Sequence, residues 1–257
     1  MKTKAQLFIY QLIQPLVKLL IRMRVTPNMI TTIGFSLNIL AAIVMVYGAD
    51  HGAKGDLTPL GWGGALILFA GFFDILDGRL AREGKMATPY GALYDSVLDR
   101  YSELVMFLGI CYFLVAHHYF LGSLFGFIAL IGSMMVSYIR ARSEGIGVEC
   151  KNGLMQRPER IVIIGVSALV CGIVSYWSGG NQKTFAPGFS FAIIETISIF
   201  IYPLVIVAVL SNITAVRRLI HSKHQLEKQP KPPVRHENEL PDHTVVAWPN
   251  GTQPCGE

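Results

Sequence analysis

The stretch "FFDILDGRLAREGKMATPYGALYDSVLDR", residues 72–100, sets four aspartates, Asp74, Asp77, Asp95 and Asp99, into a chain of 257 residues of which 52% are hydrophobic and 15% charged. Together with a mean hydropathy of +0.45, that composition excludes an ordinary soluble domain and indicates a membrane protein. Asp74 and Asp77 are three residues apart, and Asp95 and Asp99 four apart, so on helices each pair shares one face. The turn "REGKMATP" joins the two helices, which are expected to be antiparallel neighbours with all four carboxylates converging at one end. The uninterrupted apolar runs on either side, residues 60–73 and 104–116, are too short to cross a bilayer alone. The charged halves of both helices therefore lie partly within the membrane, and their aspartates must face the bundle interior.

Six apolar stretches, residues 39–48, 60–73, 104–116, 119–136, 161–177 and 196–211, reach the roughly 20 residues of a span once their flanks are included. The expected fold is an all-α integral membrane protein with six transmembrane helices. Before them, "MKTKAQLFIYQLIQPLVKLLIRMRV" is interrupted by Gln11, Gln14, Pro15 and Lys18 and has no small-residue cleavage site, which favours an N-terminal interfacial amphipathic helix over residues 1–25. Its basic residues Lys2, Lys4, Lys18, Arg22 and Arg24 would meet anionic membrane lipids. Residues 26–220 form the membrane domain. Residues 221–257, charged and proline-rich, are expected to be a disordered tail.

Lys and Arg concentrate at the N-terminus, around Arg79, Arg82 and Lys85, between Arg140 and Arg160, and after Arg217, whereas the alternate connections carry only Lys54 and Lys183. The positive-inside bias then places both termini and the aspartates on the cytoplasmic side of the cell membrane. The net charge of +5 belongs to that membrane-facing surface and not to nucleic-acid binding. Cys111, Cys150, Cys171 and Cys255 show no paired spacing, so neither a zinc site nor a disulfide framework is indicated.

A carboxylate inside a bilayer costs roughly 2.5–3.5 kcal/mol on insertion scales, and four of one sign require compensating cations. Two divalent ions would neutralise the set. Hard oxygen ligands without nearby His or Cys select Mg²⁺ or Mn²⁺, which commonly complete their shells with substrate phosphates. Gly78 and Gly91 leave room for a ligand to approach the backbone, and Arg82 offers a bidentate phosphate contact. Glu103, one further turn along, suits a buried pairing or hydrogen-bonding role. A divalent-cation transporter would instead place charged sites at mid-depth and carry internal repeats, neither of which the sequence shows.

The pattern Asp74-x2-Asp77-Gly78-x2-Ala81-Arg82-x8-Gly91-x3-Asp95-x3-Asp99 resembles the complete signature of the CDP-alcohol phosphotransferases. The resemblance implies a six-helix, usually homodimeric membrane enzyme that moves a phosphatidyl or phosphoalcohol group from a cytidine diphosphate donor to a hydroxyl, releasing CMP. By position it implies that Asp74, Asp77 and Asp95 bind two metal ions and that Asp99 combines metal binding with the role of general base. It also implies that Gly78, Arg82 and Thr88, with Asn28, Met29, Ile30 and Thr31 at the start of the first span, contact the nucleotide of CDP-diacylglycerol.

A second segment, "VSYIRARSEGIGVECKNGLMQRPERIVI", is similar to the fourth-to-fifth-helix region of actinobacterial phosphatidylinositol phosphate synthases. That similarity implies inositol phosphate as acceptor, its phosphate held by Arg140, Arg157, Arg160 and Arg218. Position 140 departs by being Arg where that subfamily commonly has Lys. Several arginines suit an anionic acceptor, which leaves glycerol 3-phosphate, and so phosphatidylglycerophosphate synthesis, as the alternative.

Overall fold

The computed structural model describes residues 14–53, 55–148, 153, 155–185 and 192–228. A short helix, α1, covers residues 14–22. Six long helices follow: α2 (Pro27–His51), α3 (Thr58–Glu83), α4 (Pro89–Ala116), α5 (Phe120–Gly145), α6 (Arg157–Ser178) and α7 (Ser198–Lys228). Proline occupies the first turn of α2, α3, α4 and α6, where its missing N–H costs nothing and its fixed φ suits a helix start. Thr88 caps α4 by accepting a hydrogen bond from the Gly91 amide at 3.0 Å.

Five of the long helices, α2, α3, α5, α6 and α7, are long and apolar enough to cross a membrane. The exception is α4, because Asp95, Asp99, Arg100 and Glu103 dilute its apolar run. Large apolar side chains point outward along the bundle, Leu108 at 63% and Leu121 at 68% exposure among them, as a lipid-facing surface requires. The protein is thus a multi-pass, helical membrane protein. Its one departure from all-helical structure among the described residues is a short antiparallel ribbon between α6 and α7, of β1 (Lys183–Phe185) and β2 (Ala192–Glu195). Tyr119 donates a short hydrogen bond to Glu195, and Asn181 donates to the Tyr119 hydroxyl at 2.5 Å, which fastens the ribbon to the start of α5.

The packing closes a ring in the order α2, α4, α5, α7, α6, α3 and back to α2. This corrects the expected hairpin: α3 and α4 follow one another in sequence but scarcely touch, because α2 packs against both. The turn through Gly84 and Thr88 is long enough to hold them apart. The gap so formed receives the aspartates.

Glycines set the closeness of the other seams. A Cβ on Gly61 would lie 2.7 Å from the Gly172 Cα, so α3 and α6 cross with their backbones in contact, and one on Gly109 would lie 2.7 Å from the Ala42 Cα where α4 crosses α2. Near the aspartate end, Val17 of α1 packs with Ile30 of α2 and Leu76 and Leu80 of α3, while Lys18, Arg22 and Arg24 stay exposed. The described part of α1 therefore has the two-faced character expected of it; residues 1–13, with Lys2 and Lys4, lie outside the described residues. At the other terminus α7 continues to Lys228, past the boundary expected at residue 221. The rest of the expected tail, residues 229–257 with Cys255, also lies outside the described residues, as does Cys150.

Substituting Gly61 by Ala should force the α3–α6 crossing apart at a cost of about 1–3 kcal/mol. A lowered thermal unfolding midpoint in detergent would register it, whereas Gly145→Ala, whose Cβ meets nothing within 4 Å, should leave the midpoint unchanged.

Candidate active site

The spacing of the aspartates does what the 3.6-residue period dictates. Asp74 and Asp77 project from one side of α3, and Asp95 and Asp99 from one side of α4, toward the gap between the two helices. Asp74, Asp95 and Asp99 each bring a carboxylate oxygen within 4.8 Å of the others. Asp77 is set apart: it is 5% exposed and accepts a 2.7 Å hydrogen bond from the Thr31 hydroxyl of α2. The helix that separates α3 from α4 therefore also contributes to the site.

Arg157, in the first turn of α6, reaches into the cluster. Its Nη1 lies 2.7 Å from Asp74 Oδ1 and its Nη2 2.8 Å from Asp99 Oδ1. Two like charges 4.8 Å apart repel by about 3 kcal/mol at an effective dielectric of about 20, so three carboxylates in mutual contact need more than one counter-charge. The carboxylates contribute −3 and Arg157 +1, leaving a formal −2 that one divalent cation would cancel. Asp95 Oδ1 is buried without a hydrogen-bond partner, a cost of the kind a metal ion removes. The donor set, all carboxylate oxygen, suits a hard divalent cation such as Mg²⁺ or Mn²⁺.

Beside the cluster a cleft of about 230 Å³ runs between the starts of α2 and α4 and the end of α3. Asn28, Thr31, Gly78, Arg82, Thr88 and Gly91 line it. The Arg82 guanidinium lies over Gly78, with both Nη atoms 3.7 Å from where a Cβ would stand. At Gly91 a Cβ would come within 3.0 Å of Thr88 Oγ1 and 3.3 Å of Asn28 Oδ1, so glycine there lets the polar ends of α2 and α4 approach. Of the four consecutive residues singled out on α2, Asn28 and Thr31 reach the cleft. Met29 is 53% exposed on the outer surface, and Ile30 is buried with Leu76 and Leu80.

The four arginines singled out for an anionic acceptor occupy different places. Only Arg157 contacts the aspartates. Arg160, 1% exposed, pairs with Glu103 at 2.6 Å. Arg218 is buried between α7 and α5, donating from Nη1 to the Val136 carbonyl at 2.9 Å. Arg140 is exposed and pairs with Glu144 at 2.9 Å. The sequence had left Glu103 without a partner. Its spacing of four from Asp99 and the spacing of three between Arg157 and Arg160 together signal a two-step pairing of α4 with α6.

Comparison with known proteins agrees with this geometry. The family model described as CDP-alcohol phosphatidyltransferase matches residues 24–185. An archaetidylinositol phosphate synthase of Methanothermobacter thermautotrophicus is 38% identical over 139 residues, which span 54% of this chain and 67% of that protein. A phosphatidylinositol phosphate synthase of Mycobacteroides abscessus is 32% identical over 160 residues, 62% of this chain and 68% of that one. Among solved structures, the phosphatidylinositol phosphate synthase of Mycobacterium tuberculosis with CDP-DAG bound superposes with a TM-score of 0.61 at 28% identity, covering 81% of this chain and 92% of that one. The same enzyme in complex with manganese and citrate gives a TM-score of 0.63 at 27% identity, covering 81% and 88%. A gap of carboxylates and a matching family model over most of the chain lead to one conclusion: this protein belongs to the CDP-alcohol phosphatidyltransferase family.

Proposed function

We propose that the protein transfers the phosphatidyl group of CDP-diacylglycerol to inositol phosphate, forming phosphatidylinositol phosphate and releasing CMP. The observation that carries this reading is the meeting, at one gap, of three carboxylates, a guanidinium that bridges two of them, and a cleft lined by Gly78, Arg82 and Thr88. Residues 26–220 act as one membrane domain of six spans, α4 included, since its polar half faces the gap and its apolar half buries Phe107, Ile110 and Phe113 in the core while turning Leu108 and Val115 outward. Both termini and the gap lie on the cytoplasmic side, following the basic segments, and the enzyme works as a homodimer.

Asp74, Asp77, Asp95 and Asp99 would hold two Mg²⁺ or Mn²⁺ ions, which when bound supply charge neutralisation for the pyrophosphate of the donor. Asn28, Thr31, Gly78, Arg82 and Thr88 orient the nucleotide, with the lipid chains left in the bilayer; Met29 and Ile30 shape the entry through backbone and packing. Arg157 receives the acceptor phosphate, Arg140 at the exposed end of α5 adds positive charge on the same side, and Arg218, buried against α5, supports that end of the bundle from behind.

In this reading the acceptor hydroxyl oxygen attacks the lipid-side phosphorus, the bond from that phosphorus to the CMP oxygen breaks, and the hydroxyl proton passes to a carboxylate oxygen of Asp99. Arg157 links the two events. Its guanidinium holds Asp99 at 2.8 Å and Asp74 at 2.7 Å, so both carboxylates compete with an incoming phosphate for it. An anionic acceptor that engages the guanidinium is thereby set beside Asp99, the carboxylate that receives its hydroxyl proton.

One relative matched over two thirds of its length is named for archaetidyl transfer, which favours a second reading of the donor: an ether-linked archaeal lipid with the same inositol phosphate acceptor. Purified protein given CDP-diacylglycerol or its archaeol analogue, each with radiolabelled inositol phosphate, glycerol 3-phosphate or free inositol, separates these readings. Label should enter lipid from inositol phosphate; incorporation from glycerol 3-phosphate alone would overturn the acceptor assignment.

Asp99→Asn should lower turnover by about 10²–10⁴-fold while CDP-lipid binding persists. Full activity in that variant would remove Asp99 from the role of base.

A further inference from the structure

The aspartate gap continues inward to a small cavity of about 20 Å³, water-sized, whose lining includes Asp74, Asp99, Glu103 and Arg157. Two charged steps connect α6 to α4 here. The outer one is Arg157 with Asp99 and Asp74, with side chains 17–30% exposed. The inner one is Arg160 with Glu103 at 2.6 Å, 1% and 3% exposed. Glu103 is also held on its other oxygen, accepting a 2.6 Å hydrogen bond from the Ser133 hydroxyl of α5, and Arg160 donates to the Met155 carbonyl at 3.2 Å. The inner pair is therefore sealed from solvent, whereas the outer one opens to the gap.

A sealed ion pair between two helices is weak evidence for stability as such, because desolvation offsets most of its attraction. Its position matters more. Arg160 sits one helical turn from Arg157, and Glu103 one turn from Asp99. If Glu103 lost its charge, Arg160 would stand as an uncompensated cation one turn below the aspartates, and the formal −2 that attracts a divalent ion would be partly cancelled from below.

We propose that Glu103 is a positioning residue for the cation site: by neutralising and holding Arg160 it leaves Arg157 as the one α6 guanidinium that acts on the aspartates. This assignment rests on the divalent-cation reading of the aspartate cluster. Glu103 itself touches neither substrate nor the reacting atoms.

Mn²⁺ titration of the purified full chain in detergent, followed by the electron paramagnetic resonance signal of free Mn²⁺, tests it without measuring turnover. Glu103→Gln, checked for folding by its elution and thermal midpoint, should bind Mn²⁺ at least about tenfold more weakly, and Glu103→Gln/Arg160→Gln should restore affinity to within about threefold of the parent. A purely structural role also allows that rescue but predicts that Arg160→Gln, which strands Glu103, weakens Mn²⁺ binding, whereas the proposal predicts tighter binding there. Unchanged affinity in Glu103→Gln, or no restoration in the double variant, overturns the proposal.

If Glu103→Gln does not fold, Arg160→Gln reads the opposite sign: tighter Mn²⁺ binding supports the proposal, and equal or weaker binding overturns it. Asp74→Asn separates the two levels. Undiminished Mn²⁺ binding there would defeat the cation reading itself, whereas lost binding there with unchanged affinity in Glu103→Gln would defeat only the role of Glu103.

Discussion

Like charges held together inside a low-dielectric bundle are what the rest of this structure accommodates. Asp74, Asp95 and Asp99 approach within 4.8 Å, a spacing that neither lipid nor a tightly packed helix pair would tolerate. The ring of helices resolves this by keeping α3 and α4 apart with α2, by turning the polar half of α4 inward, and by sending Arg157 from α6 into the space. The fourth aspartate is relieved differently, through the Thr31 hydroxyl. Each solution draws on a different helix, so the charge problem of two helices fixes the arrangement of four.

Close packing elsewhere makes that open gap affordable. Gly61 against Gly172 and Gly109 against Ala42 bring backbones into contact on the seams that do close, where dispersion replaces the missing hydrophobic drive between helices in lipid. At the far end from the aspartates, the polar contacts of Tyr119, Asn181 and Glu195 tie the β-ribbon to the start of α5. The bundle is filled by a core that includes Ile67, Phe107, Phe113 and Ile164, and it opens at the aspartate end.

Much of this was legible in the sequence, and what was not has identifiable causes. Aspartate spacing fixed the faces of α3 and α4, since a helical period converts sequence distance into direction. It could not say which helix stands beside which, because a short turn limits separation without requiring contact; the expectation that α3 and α4 pair failed on that point. The arginines show the same limit. Basic residues near one membrane face look alike in sequence, yet Arg157 enters the gap, Arg160 is sealed below it, Arg218 is buried against α5 and Arg140 stays exposed. Depth and rotation, not charge, distinguish them. The ribbon strands, three and four residues long, are too short to show alternation.

The standing separation of α3 and α4 has a consequence for motion. An enzyme that must admit a large lipid headgroup into a closed bundle would have to part its helices on every cycle and spend contact energy doing so. Here the two helices that carry the aspartates hold few contacts with one another that could be broken, and their spacing is set by a third helix that stays packed against both. Entry and departure at such a gap leave the firm seams undisturbed. The scaffold can therefore keep its firm seams closed while the gap between α3 and α4 stands open.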